Sequence, residues 1–306
     1  MASTTPLRRN GFTIVELAAL GAALVTASST LLCVAAARRG DSLAARDAKL
    51  AAQVHRATLM WSAQRGDTAL ATPSLIRRAP TPPGYFAELG AELLQYNNTA
   101  NLSSALVAEQ FLDVEDLVSP VETNPVVRPM TQYDFLSYSP TASIPTFWDP
   151  NLLANIFRTP DGSPTSVSHV SYAHLALTPQ RRACHWRSTA GSATALFANR
   201  GTFRGATSGP NYSLSYSLLF HPPIDAWAGH VVYGDNHVSL ETTFTPGAGT
   251  PCSAGKSADN IFARECTTPG GGADGEDIWI CFGIGSPTAT SYTEAPERLT
   301  DGTSPQ

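Results

Sequence analysis

From Phe12 to Ala37 the chain reads FTIVELAALGAALVTASSTLLCVAAA, an apolar run of 26 residues whose only charge is Glu16. As a helix rising about 1.5 Å per residue it would span roughly 39 Å, enough to cross a hydrocarbon core of about 30 Å. After Gly40 the pattern becomes that of an amphipathic helix. Leu43, Leu50, Val54, Ala57 and Trp61 recur at helical spacing, and Asp41, Ser42, Arg46, Asp47, Lys49, Gln53, Arg56 and Arg65 fall to the other faces. No Pro interrupts the chain between Pro6 and Pro73, and Gly66 supplies a stop. The expectation is one long helix over residues 12–66, with His55 and Met60 packed in its core-facing side.

Beyond it, the breakers between Pro73 and Gly84 predict a loop over 67–84. Tyr85 to Leu117 leans helical, interrupted at Asn97–Asn101, and the acidic Asp113, Glu115 and Asp116 read as a solvated helix end. Residues 119–168 are rich in Pro and Thr and predict loops with short strands, one near Tyr133–Tyr138. Alternation of period two then takes over. Strands are expected at Val170–Ala176, Thr194–Phe197, Tyr212–Leu218, His230–Tyr233, Val238–Phe244 and Ile278–Phe282. Gly234-Asp235-Asn236 between two of them marks a hairpin. Helix first and antiparallel strands later define an α+β class.

Composition narrows the classes. Charged residues are 15% of the 306, below the roughly 25% usual for soluble domains, while hydrophobic residues are 42%. A highly charged disordered chain is excluded, and so is a polytopic membrane protein, since only one long apolar run exists. The net charge of −5, with Lys49 and Lys256 as the only lysines, argues against a nucleic-acid partner. Five arginines (181, 182, 187, 200 and 204) fall in an acid-free stretch over 162–224, whereas residues 231–306 carry ten acids against three bases. That asymmetry suggests a dipolar body able to make head-to-tail contacts.

Glu16 is the informative residue of the apolar run. A carboxylate there costs a few kcal/mol unless paired, and nothing basic lies within a turn of it. A secretory signal peptide is a poor alternative, because its apolar region should be about 7–15 residues long. The segment Arg8-Arg9-Asn10-Gly11, followed by Phe12-Thr13-Ile14-Val15-Glu16-Leu17, resembles the cleavage site of type IV prepilins and type II secretion pseudopilins. The resemblance implies that a prepilin peptidase cuts between Gly11 and Phe12 and that Phe12 is N-methylated. It also implies that the new amine neutralises Glu16 of a neighbouring subunit during filament assembly. Two unit charges 4 Å apart attract by about 4 kcal/mol at an effective dielectric of 20. A long N-terminal helix, half in the membrane and half on an antiparallel sheet, is the fold the resemblance implies. The stretch Gly229–Val238, with Asn199-Arg200-Gly201 and Asp259–Phe262, further resembles planctomycete-type pilin-like proteins.

Of five cysteines, Cys33 lies in the apolar run and reads as a small apolar residue. The other four would reach an oxidising compartment and can pair in three ways. The short loop between Cys252 and Cys266 favours that pair, leaving Cys184 with Cys281. Zinc spacing is missing, so neither a metal site nor a cofactor is expected. Asp274, Glu276 and Asp277 could bend around calcium, but a solvated turn explains them as well. No GxSxG, Walker A or HExxH motif occurs, and no enzyme activity is expected. His230 and His237 flank one turn and read as structural.

With this resemblance the chain is expected to divide into a leader (1–11), a transmembrane and amphipathic helix (12–66) and an exported α+β domain (67–306). The expected role is a structural filament subunit, held in the inner membrane with its body outside the cytoplasm. Its partners would be the prepilin peptidase and other filament subunits. A minor tip or adhesin subunit and a membrane-anchored exported enzyme are the alternatives.

Overall fold

A computed structural model describes residues 14–81, 84–89, 94–137, 147–156, 167–247, 259–264, 277–284 and 293–294, with side chains omitted at 14–38, 76–81, 84–89, 95, 283–284 and 293–294. The chain divides into two units, residues 1–45 and 46–306. The first helix, α1 (Ile14–Arg65), runs to the expected stop, where Gly66 adopts a φ of 62°. Among the residues whose side chains are described, no helix is long and apolar enough to cross a membrane; the apolar run at 12–37 lies outside them.

Within residues 46–306 the class is α+β. After α1 come a hairpin, β1 (Ile76–Thr81) with β2 (Gly84–Leu89), and a helix, α2 (Thr99–Ala108). Then follow β3 (Tyr172–Leu175), α3 (Pro179–His185), β4 (Ala195–Asn199) and the single turn α4 (Pro210–Ser213). The chain closes with β5 (Gly229–Tyr233), β6 (Val238–Glu241), β7 (Ile280–Cys281) and a small ladder of β8 (Gly283–Ile284) with β9 (Thr293–Glu294). The main sheet has the order β6-β5-β4-β3-β7, and every neighbouring pair is antiparallel.

Its three central strands are buried at every position, so both faces are covered rather than one. The inward side of α1 packs on one face. Leu50, Ala51, Val54, Ala57 and Trp61 are buried there, and the His55 ring lies 5.8 Å from that of Phe197. Met60 departs from expectation: it is half exposed, because it sits out of phase with that stripe. Two cross-strand rows face the helix. Tyr172 pairs with Asn199 and His174 with Phe197 across β3 and β4. The β5 members of these rows are His230, one step beyond the Ala198–Val231 pair, and Val232 opposite Phe197.

The β5–β6 hairpin forms as expected. Val232 pairs with Val238, the Asn236 N–H donates to the Tyr233 carbonyl at 2.8 Å, and Asn236 carries the positive φ of 68°. Gly234 serves the turn differently. A Cβ there would meet the Ala190 backbone at 2.5 Å, so glycine is required for close approach. Several expectations fail. Part of the loop expected over 67–84, and the start of the helical stretch expected from Tyr85, instead form the β1–β2 hairpin, Pro80 being tolerated because a two-stranded ladder leaves each strand a free edge. Tyr212–Leu218 is not a strand but α4 followed by a 3-10 turn at Tyr216–Leu219. There Ser215 accepts from the Ser217 N–H, a local bond that competes with a ladder. No strand forms at the described residues 133–137.

Candidate functional site

Asp47 lies on α1 one turn before Leu50, in phase with Leu50 and Val54, and is fully buried. The expectation that it would occupy an outer helix face is therefore wrong. Its carboxylate accepts from five donors. Oδ1 accepts from the Tyr172 hydroxyl at 2.9 Å, the Asn199 amide at 3.2 Å and, through a short bond, the Ser119 hydroxyl. Oδ2 meets His230 Nδ1 at 2.6 Å and His221 Nε2 at 3.3 Å.

The fold supplies these donors in order. Tyr172, Asn199 and His230 are one row across β3, β4 and β5. Ser119 follows a 3-10 turn at Val114–Leu117, and His221 follows the one at Tyr216–Leu219. Asn199 is fixed from both ends, since its Oδ1 accepts the His230 backbone N–H at 2.6 Å while its amide donates to Asp47. The two imidazoles are nearly perpendicular, with centroids 4.8 Å apart.

Electrostatics follow from this geometry. Burial alone would raise the Asp47 pKa. Hydrogen bonds from His221, His230 and Ser119 instead hold it well below the usual carboxylate range. Burial, and then the Asp47 charge, push Tyr172 well above its usual value, so it remains a donor. The site is thus an ionised carboxylate sunk between helix and sheet, with two imidazole nitrogens on one of its oxygens. It can lock the helix to three strands, and its Asp, His and His donors form a set with metal-ligating chemistry.

Among the described residues, two further ion pairs are buried. Arg200 grips Glu122 with both terminal nitrogens, at 2.6 and 3.1 Å, and lies over the Phe220 and Phe282 rings. Arg181 pairs with Asp277, both fully buried. Two of the five arginines counted toward a dipolar body, Arg181 and Arg200, are therefore interior. Neutral histidines complete the interior. His55 Nδ1 meets Asn236 Oδ1 at 3.0 Å, and His174 sits between Thr99 and the Leu175 carbonyl. Burial pushes each of these two down to about 4.

The residues singled out from the sequence distribute as follows. Gly11 and Phe12 lie outside the described residues, as do the side chain of Glu16 and both Cys252 and Cys266. The Cys184–Cys281 disulfide is not formed. Cys184 is an exposed free thiol on α3, whereas Cys281 is buried in β7 beside Ala176 and Trp279. Of the calcium candidates, Asp274 and Glu276 lie outside the described residues, and the Asp277 carboxylate is taken by Arg181. His230 and His237 share a hairpin but not a role: His230 holds Asp47, and exposed His237 stacks on Tyr233 at 4.4 Å.

Sequence reasoning missed Asp47, Asn199 and His221. The signal for Asp47 was its helical phase, a charge standing where the apolar stripe required a buried residue. No local signal marks the other two, because their positions depend on strand pairing. No protein-family model, no curated protein and no solved structure matches this chain.

Proposed function

We propose that this chain is a pilin-like structural subunit, cut between Gly11 and Phe12 and assembled into a type IV pilus-like or type II secretion pseudopilus filament. The observation that carries the reading is the pattern Arg8-Arg9-Asn10-Gly11-Phe12, with Glu16 four residues on, at the head of the apolar run. In such a filament apolar helices bundle at the centre and sheet domains form the wall. Glu16, costly in an apolar setting, takes its partner from the amine that cleavage creates at Phe12 of a neighbouring subunit.

The body lends support of a mechanical kind. A filament subunit passes axial load from its helix to its sheet, and an apolar interface alone resists sliding weakly because it is non-directional. Asp47 adds directional bonds to a row crossing three strands, which fixes the register of helix against sheet. The test is Glu16→Ala in the native host. Loss of filaments, with the chain still in the membrane fraction, is the expected result; filaments at the wild-type level would overturn the proposal.

A further inference from the structure

We propose that Asp47, His221 and His230 bind a divalent transition-metal ion of the zinc class, clamping α1 to the β5–β6 hairpin. This goes beyond the filament reading and stands or falls separately from it. The three side chains come from positions 47, 221 and 230, so no short motif announces the site, yet their ligand atoms all lie within 4.8 Å of one another. The set of two imidazole nitrogens and one carboxylate oxygen is a common donor set for zinc and related ions.

The geometry suits a shared ion. Ligands about 2.0–2.2 Å from a tetrahedral metal stand roughly 3.3–3.5 Å apart. His221 Nε2 already lies 3.3 Å from Asp47 Oδ2. His230 Nδ1, at 2.6 Å, must open by about 0.7 Å to reach the separation of two metal ligands. Both imidazoles approach the same oxygen, and their near-perpendicular planes let the two ring nitrogens converge without stacking. Metal binding requires the lone pair, not the proton, on His221 Nε2 and His230 Nδ1. Each ring therefore carries its proton on its other nitrogen when the ion is bound.

The surroundings are those of a metal ligand's supporting shell. Asp47 Oδ1 is held by Ser119, Tyr172 and Asn199, leaving Oδ2 aimed at the two histidines. Asn199 in turn is fixed by the His230 backbone, so the support reaches two of the three ligands. Three protein ligands leave a fourth position, which water fills in zinc sites.

The test is metal titration of the full chain, purified in detergent without a histidine tag. Zinc is expected to bind at one equivalent per chain and to raise the unfolding temperature, and cobalt is expected to give the visible absorption of a tetrahedral site. His221→Gln and His230→Gln should each weaken binding by at least about tenfold, as should Asn199→Ala through the supporting shell. His237→Gln, on the surface, should leave binding unchanged. Binding that persists in both ligand variants would put the ion on surface histidines and overturn the proposal. Should those variants fail to fold, the wild-type titration decides alone: no cobalt spectrum and no thermal shift with zinc would overturn it equally.

Discussion

Replacing Asp47 with alanine probes the helix–sheet lock directly. Hydrogen bonds to a charged group contribute about 1.5–3 kcal/mol each, so five of them would nominally exceed what any single substitution costs. Two effects reduce the figure. Removing the carboxylate recovers its desolvation penalty of several kcal/mol. Several donors also escape: the Ser119 and Tyr172 hydroxyls can rotate, and both imidazoles can change tautomer. Asn199 cannot, because its amide is fixed by the bond from the His230 N–H. With one donor stranded and a buried charge network broken, the expected loss is about 3–5 kcal/mol. Asp47→Asn keeps an acceptor for Ser119, Tyr172 and Asn199 and lets both histidines accept from its amide, so about 1–2 kcal/mol is expected. Lys49→Ala, on the exposed side of the same helix, should change stability by no more than about 0.5 kcal/mol. The assay is urea unfolding of the purified chain in detergent and chelator, followed by emission of Trp61, Trp148, Trp186, Trp227 and Trp279, all of them buried. An alanine effect below about 1 kcal/mol, or an asparagine effect equal to it, would refute the reasoning.

Two other consequences follow from the interior. His55 and His174 have folded pKa values pushed down to about 4 from 6.5, so below pH 6.5 the unfolded chain binds protons that the folded chain refuses. Stability is therefore complete above that pH and is lost as pH falls toward 4, at about 1.4 kcal/mol per unit for each histidine. Urea midpoints measured between pH 6 and 4.5 should show this slope, and His174→Gln should flatten it by about half; a flat wild-type profile would contradict it. Gly234→Ala should cost about 1–3 kcal/mol through collision with the Ala190 backbone. Gly191→Ala, with open space around it, should unfold within about 0.5 kcal/mol of wild type, and equal effects from the two substitutions would disprove the close-approach argument.

Legibility in the sequence tracked how local the determining physics was. The α1 stripe of Leu50, Val54, Ala57 and Trp61, its end at Gly66 and the β5–β6 hairpin all follow from residues within a turn of one another. Tyr212–Leu218 deceived because its alternation of Tyr or Leu with serine is also what a short helix and a 3-10 turn capped by Ser215 can carry. The central strands ran buried on both faces, so alternation was a weak guide where it mattered most. Asp47 was legible in principle, for its phase was right and only its charge argued otherwise. Its partners were not. Tyr172, Asn199 and His230 become neighbours through antiparallel pairing of β3, β4 and β5, and His221 through a turn that no pattern marks. The Arg200–Glu122 and Arg181–Asp277 pairs show the same limit: two arginines counted toward a dipolar body are interior because a partner far along the chain meets each.

Mass spectrometry of the N-terminal peptide of the chain isolated from its native membrane tests the filament account most directly. A peptide that begins at Phe12 and carries one methyl group on its amine is the result the account predicts. A peptide that retains Met1–Gly11, or one that begins after Ala37, would contradict it.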